Sequence, residues 1–261
     1  MSLASVVKVE LVKLRHKRTT LLLLLLFVPS VLFGVGMSLG LSFFVSDGGG
    51  GGVDAVGGSL SGLGFAVSMI EQGEFILFLV VIILAALSLA GEWENGQIKS
   101  EILRVCGRGK ILLAKYIALL ACVCGTLLLS ILWSFLIYAL LLRGTGFASG
   151  LLFDSMAPAQ LGYILFTTLG IATVTAFTFL LGTRMKCFPG FAISYILWFA
   201  SLYTDFMGKV KYLIPYNMPG HILESADSLR PYAPYALLYI GYAISLLTLS
   251  GVLFARRDIQ I

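Results

Sequence analysis

The apolar positions fall in long uninterrupted runs rather than in an alternating pattern. A stretch of about 20 apolar residues is what a helix needs to cross a hydrocarbon core of roughly 30 Å. Such runs lie near 20–45, 75–91, 116–142, 160–183, 188–207 and 232–254, which predicts six membrane-spanning helices. A transmembrane barrel is excluded, because its strands show a period of two over about ten residues. Only a helical bundle then satisfies the backbone in lipid. The predicted fold class is an all-α membrane protein, with residues 1–19 ahead of a six-span domain over 20–261.

Two shorter patterns lie outside the runs. Leu3, Val7, Leu11 and Leu14 recur at spacings of four, four and three, the signature of one helical face. The other faces are read as carrying Lys8, Glu10, Lys13 and Lys17. This segment is predicted to be an amphipathic helix lying in the headgroup layer before the first span. Between spans two and three, Asn95-Gly96 and Gly107-Arg108-Gly109 mark breaks, and Ile98, Ile102 and Val105 between them form another apolar face. A short amphipathic helix over 97–106 follows, with Lys99, Glu101 and Arg104 off its apolar side.

Composition agrees with lipid as the solvent: 59% of the 261 residues are hydrophobic and 12% are charged, where a soluble domain carries about 25% charged. Charge also sets the orientation, since cytoplasmic loops are enriched in Lys and Arg. With the N-terminus inside, fourteen basic residues face the cytoplasm; four (Arg143, Lys209, Lys211 and Arg230) face outward with eight acids, among them Glu71, Glu74 and Asp205. Both termini are expected in the cytoplasm. The first run is 26 residues long with no small-residue cleavage site after it, so it is expected to remain as a span. The net charge of +5 then reads as attraction to anionic lipid rather than to nucleic acid.

The inventory for catalysis is poor. His16 and His221 fall on opposite sides of the membrane, and His-Glu-x-x-His and Gly-x-Ser-x-Gly are absent. The glycines of the first outer loop (Gly48–Gly52, Gly57, Gly58, Gly62 and Gly64) read as a linker, since no Gly-Lys-Ser/Thr exists to make a Walker loop. Cys122 and Cys124, two apart in span three, point to different helix faces; Cys106 and Cys187 are assigned to the cytoplasmic side. No charged residue is expected deep within a span, with Asp205 at the outer end of span five, which disfavours an ion pathway. The last outer loop, about 208–231, holds Pro215, Pro219 and Pro231 among apolar residues and is predicted to dip back toward the membrane.

The stretch from Glu92 to Lys115 (Glu-Trp-Glu-Asn-Gly-Gln-Ile-Lys-Ser-Glu-Ile-Leu-Arg-Val-Cys-Gly-Arg-Gly-Lys-Ile-Leu-Leu-Ala-Lys) resembles the second-to-third-span loop of ATP-binding-cassette type 2 permeases. Glu94, Gly96, Leu103, Arg108 and Lys115 fit the family pattern, while Gln97 replaces the usual Thr and no Pro precedes Arg108. The flat N-terminal helix, the six spans, the Pro-containing last loop and the Arg-Arg-Asp tail are similar to the same family. The resemblance implies a permease subunit without an ATPase site of its own. It makes 97–106 the coupling helix seated in a separate ATPase, with Glu94, Gly96, Ile98, Lys99, Glu101, Ile102, Arg104, Val105 and Arg108 as its contact set. ATP and Mg would bind on that partner, no cofactor would bind in this chain, and a second permease chain would complete a dimer in a prokaryotic cytoplasmic membrane. The shortness of the chain is similar to lantibiotic-immunity and drug-resistance exporters, implying amphipathic cargo. The competing class is a non-transporting scaffold or sensor that uses the same loop to dock a soluble partner.

Overall fold

The computed structural model describes residues 2–40, 60–105, 107–204, 212–215, 218–224 and 232–256. The glycine run Gly48–Gly52, Gly57, Gly58, Cys106 and Asp205 lie outside these residues. Among the described residues the fold is all-helical, and a single bridge between Leu60 and Ala148 is the only strand-like pairing. Nine helices follow: α1 (Leu3–His16), α2 (Arg18–Ser38), α3 (Gly62–Glu94), α4 (Gln97–Val105), α5 (Arg108–Leu142), α6 (Ala157–Gly182), α7 (Cys187–Ser201), α8 (Met218–Glu224) and α9 (Ala233–Arg256). Five of them, α2, α3, α5, α6 and α9, are long and apolar enough to cross a membrane. The chain is a multi-pass membrane protein.

The fifth predicted span corresponds to α7, which has 15 residues and extends about 22 Å, short of a full crossing by itself. Trp198 secures it against α3, stacking on Phe78 at 5.3 Å and lying 5.4 Å from Phe75 between ring centroids.

α3 is the most enclosed of the long helices and forms the centre of the bundle. It packs against α5 and α6, and α6 packs against α9. Leu77, Phe78, Val81, Leu84 and Leu89 supply its share of the main core. Ser30 of α2 and Ser134 of α5 share a buried hydroxyl hydrogen bond of 2.7 Å, which satisfies two polar groups that lipid would leave stranded.

Three sequence expectations are corrected here. First, α3 starts at Gly62, not near 75, so Glu71 and Glu74 belong to the helix and not to a loop. Glu74 is buried, and one of its oxygens accepts the Tyr163 hydroxyl at 3.1 Å. The span boundary expected near 75 therefore fails for this helix, which carries both acids. Glu74 lies 18 residues before Glu92, about 27 Å along the axis, near the far edge of a core roughly 30 Å thick. Second, Gly62 and Gly64 are not linker residues. A Cβ on Gly62 would meet the Phe135 ring at 3.1 Å, and one on Gly64 would meet Gln160 Nε2 at 3.1 Å; these glycines allow close helix packing. Third, Glu10 lies on the buried face of α1, as described below.

Candidate functional site

At one end of the bundle the chain returns repeatedly to the same place. α1 leads into α2 there, α3 ends there, α4 crosses over, and α5 begins there. The N-terminal cap of α1 is Ser2, whose hydroxyl accepts the Ser5 amide. Helical spacing of 100° per residue places Glu10 within about 20° of Leu3 and about 40° of Leu14, so it falls inside the apolar seam. Glu10 is accordingly buried together with Val6 and Leu14. Lys13 and Lys17 flank the same seam, while Lys8, Arg15 and His16 remain exposed with Val9 and Val12.

α3 ends in a π-helical turn at Leu87–Gly91 followed by Glu92–Glu94. A two-residue turn at Asn95-Gly96 then reverses the chain; Gly96 has φ of +72°, which a residue with a Cβ adopts only under strain. α4 follows with Ile98 fully buried in the core and Ile102 packed against it. On the α4 helical wheel Glu101 sits about 60° from Ile98, bordering the seam rather than opposing it. Its carboxylate turns inward, which revises the reading that grouped it with Lys99 and Arg104 off the apolar side.

These elements converge on Lys115, two turns into α5, whose side chain is completely buried. Its Nζ donates to Glu10 Oε2 at 2.9 Å, lies 3.1 Å from Glu101 Oε2 and also donates to Glu92 Oε2. Lys13 bridges Glu10 Oε1 at 2.8 Å and Glu101 Oε1, and Lys17 donates to Glu92 Oε1 at 2.5 Å. Three lysines thus balance three carboxylates contributed by α1, α3 and α4. Burial depresses the Lys13 pKa, but the hydrogen bonds to Glu10 and Glu101 outweigh that and hold its ammonium above the usual 10.5.

Oxygens of Glu10, Glu92 and Glu101 lie within 4.8 Å of one another, a spacing that would suit a metal ion. The cation between them is the Lys115 ammonium. A buried ion cluster gains little net stability over well-packed apolar residues, because desolvation offsets the Coulomb attraction. Its strength lies in specificity: loss of one member strands the others, so α1, α3, α4 and α5 are held in one relative arrangement.

The remaining predicted contact residues divide between two neighbours of this cluster. Glu94 Oε1 accepts the Cys187 amide at 3.0 Å, at the start of α7. Arg108 Nη1 donates to the Ala255 carbonyl at 2.8 Å, near the end of α9. The side chains of Lys99, Arg104 and Val105 lie outside the described residues. Ser100, between Lys99 and Glu101, is exposed on the surface of α4.

Sequence reasoning isolated α4 and its loop but missed Glu10 and Lys115 as partners. A signal was present. Glu10 is an acid in the middle of an apolar helical seam, and Lys115 is a base followed by an apolar run; each is expensive to bury alone, which points to a partner.

No curated protein matches the chain. The family described as "Protein of unknown function (DUF2705)" matches residues 54–260. With most of its length covered by that match, the chain belongs to this family.

Proposed function

We propose that this chain is the membrane-spanning permease subunit of an ATP-binding-cassette exporter, and that α4 is the helix on which a separate ATPase subunit acts. The observation that carries the reading is the Lys115 cluster. α4 is amphipathic, two residues of sequence from α3 and two from α5, and bonded through Glu101 to Lys13 of α1 and Lys115 of α5. Force applied to α4 is thereby shared with α1 and with the membrane-crossing helices α3 and α5 instead of bending a loop. A helix with its apolar side fixed inward and residues such as Ser100 exposed on its other side is suited to seat in a groove of a soluble partner.

In this reading the α1 end faces the cytoplasm with both termini, α7 belongs to one of six crossings, and a second permease chain forms the other half of the pathway. ATP and Mg bind on the partner, and the cargo is amphipathic. The balance of Lys and Arg supports the orientation. The cluster explains why the load is delivered without a loose joint: a buried pair costs about 3–5 kcal/mol to break by removing one partner, more than one loop contact supplies.

Purification of the chain from its native membrane tests the reading. A co-purifying protein with Gly-x-x-x-x-Gly-Lys-Ser/Thr, whose ATP hydrolysis depends on the chain, is the expected result. Repeated purification without such an ATPase, under conditions that keep the chain monodisperse, would favour the scaffold reading instead.

A further inference from the structure

A cavity of about 370 Å³ lies between α6, α7 and α9 at the level of their central residues, bounded by Val174, Phe177, Leu197 and Leu246. Its volume is within the range of roughly 300–1,000 Å³ typical of small-molecule sites. Among the described residues no charged side chain lines it; its polar groups include the hydroxyls of Thr173, Ser194 and Ser201 and the Trp198 indole N–H.

Those hydroxyls are not equivalent. Thr173 donates to the Leu169 carbonyl at 2.9 Å and Ser201 donates to the Trp198 carbonyl at 2.5 Å, the usual local solution for a hydroxyl in an apolar helix. Ser194, 1% exposed, has no partner for its Oγ among the described residues. An unbonded hydroxyl sealed from water costs free energy; Ser194 lines the cavity, and a turn about its Cα–Cβ bond would present the hydroxyl to it.

The cavity is closed on one side by backbone that is not helical. Ile214 and Pro215 reach into the bundle, with the Pro215 carbonyl 3.4 Å from the place of a Cβ on Gly170, 13 residues into α6. The Tyr239 hydroxyl lies 2.6 Å from the Tyr212 carbonyl and 3.2 Å from that of Ile214. Irregular backbone within a membrane bundle is tolerated where it is buried in protein or lines a cavity, and Tyr239 supplies the hydrogen bonding that holds it there.

We propose that this cavity binds an uncharged amphiphile: an apolar chain packed between α6, α7 and α9, with one oxygen accepting a hydrogen bond from Ser194 Oγ. A hydroxyl or ester oxygen fits, whereas an ammonium or carboxylate would meet no counter-charge among the described lining residues. The same chemistry is offered by a transported molecule and by a bilayer lipid. The proposal stands on the chain's own geometry and does not require the transport reading.

The test uses the full chain purified in detergent and three photoreactive probes of equal chain length: a diazirine-bearing dodecanol, its trimethylammonium analogue and its carboxylate analogue. Cross-linked peptides are mapped by mass spectrometry. The alcohol is expected to label α6, α7 or α9 around the cavity saturably and in preference to both charged probes. Ser194→Ala should weaken its half-saturation roughly fivefold, since a neutral hydrogen bond is lost, and Ser194→Leu should abolish labelling by filling the space. Because Ser194→Leu could fail to fold, Ser194→Ala with an unchanged elution profile is sufficient by itself.

A second arm repeats the labelling in nanodiscs of phosphatidylethanolamine and phosphatidylglycerol. Retained labelling supports a cargo-like amphiphile that outcompetes bulk lipid; labelling lost only in nanodiscs supports a resident lipid occupying the same site. Labelling equal for all three probes, or unaffected by both Ser194 variants, would overturn the proposal. Failure of ATPase association has no bearing on any of these outcomes.

Discussion

Replacing Lys115 with methionine keeps most of the unbranched apolar stem and removes the buried ammonium with its hydrogen bonds. In the native arrangement Glu10, Glu92 and Glu101 are balanced by Lys13, Lys17 and Lys115. Lys115→Met leaves three carboxylates with two lysines, and the two that remain are about one-third exposed, at 35% and 29% of their side-chain surface. Breaking a buried pair in this way costs about 3–5 kcal/mol. For a chain of this size each kcal/mol lowers Tm by roughly 2–4 °C, giving an expected drop of roughly 6–20 °C.

The assay is thermal unfolding in detergent followed by intrinsic fluorescence, which is favourable because Trp93 lies one residue from Glu92. The drop should persist in 0.5 M salt, because buried pairs are weakly screened. Adding Glu92→Gln to Lys115→Met should recover part of the loss, since it removes one of the stranded charges; a coupling of about 0.5–3 kcal/mol is the range for residues in one network. A Lys115→Met protein melting within 1 °C of the parent would refute the assignment of Lys115 as the centre of the cluster.

Other consequences are equally direct. Gly34→Ala should destabilise by about 1–3 kcal/mol, because its new Cβ would collide with Ile137 Cγ2; Ile137→Ala in the same chain should relieve the collision, as read by Tm. Tyr163→Phe removes the hydroxyl bonded to buried Glu74 and should cost about 1–3 kcal/mol, a loss that Glu74→Leu combined with it should diminish. Alkaline titration of Tm reports on Lys13: its pKa is raised in the folded state, so its contribution is complete below the ordinary value of 10.5 and is lost as pH rises through the higher folded value. Lys13→Gln should flatten that alkaline decline, and an unchanged decline would show that Lys13 is not its source.

Much of the architecture was legible because lipid imposes one strong rule, a long apolar run for each crossing. The seams of α1 and α4 were legible for the same reason, with Leu3, Val7 and Leu14 or Ile98 and Ile102 at helical spacing. What failed to show were the places where a charged residue sits on an apolar side. Glu74 falls just outside the apolar run that begins near 75, yet the helix continues past it, with its carboxylate bonded by Tyr163, 89 positions away. Glu10 was assigned outward for its charge although its angular position lies in the seam. The partner that reconciles it, Lys115, is 105 positions distant. Such pairings depend on how α1, α3 and α5 pack together, which hydrophobic periodicity in each helix does not encode.

α7 illustrates a different loss. Its apolar run continues past Ser201 in the sequence, but the helix stops there, and Tyr239 draws the later segment 212–215 against α6 and α9. The prolines hinted at a dip in this loop; the depth of that dip is set by a tyrosine in another helix.

The transport reading depends on whether the exposed side of α4 meets an ATPase. A photoreactive amino acid at Ser100, which is exposed and outside the ion cluster, answers this in intact cells without disturbing Lys115. The expected result is a cross-link to a polypeptide carrying Gly-x-x-x-x-Gly-Lys-Ser/Thr, diminished by Lys115→Met at equal expression. Cross-links confined to lipid, or to proteins without that motif, would contradict it.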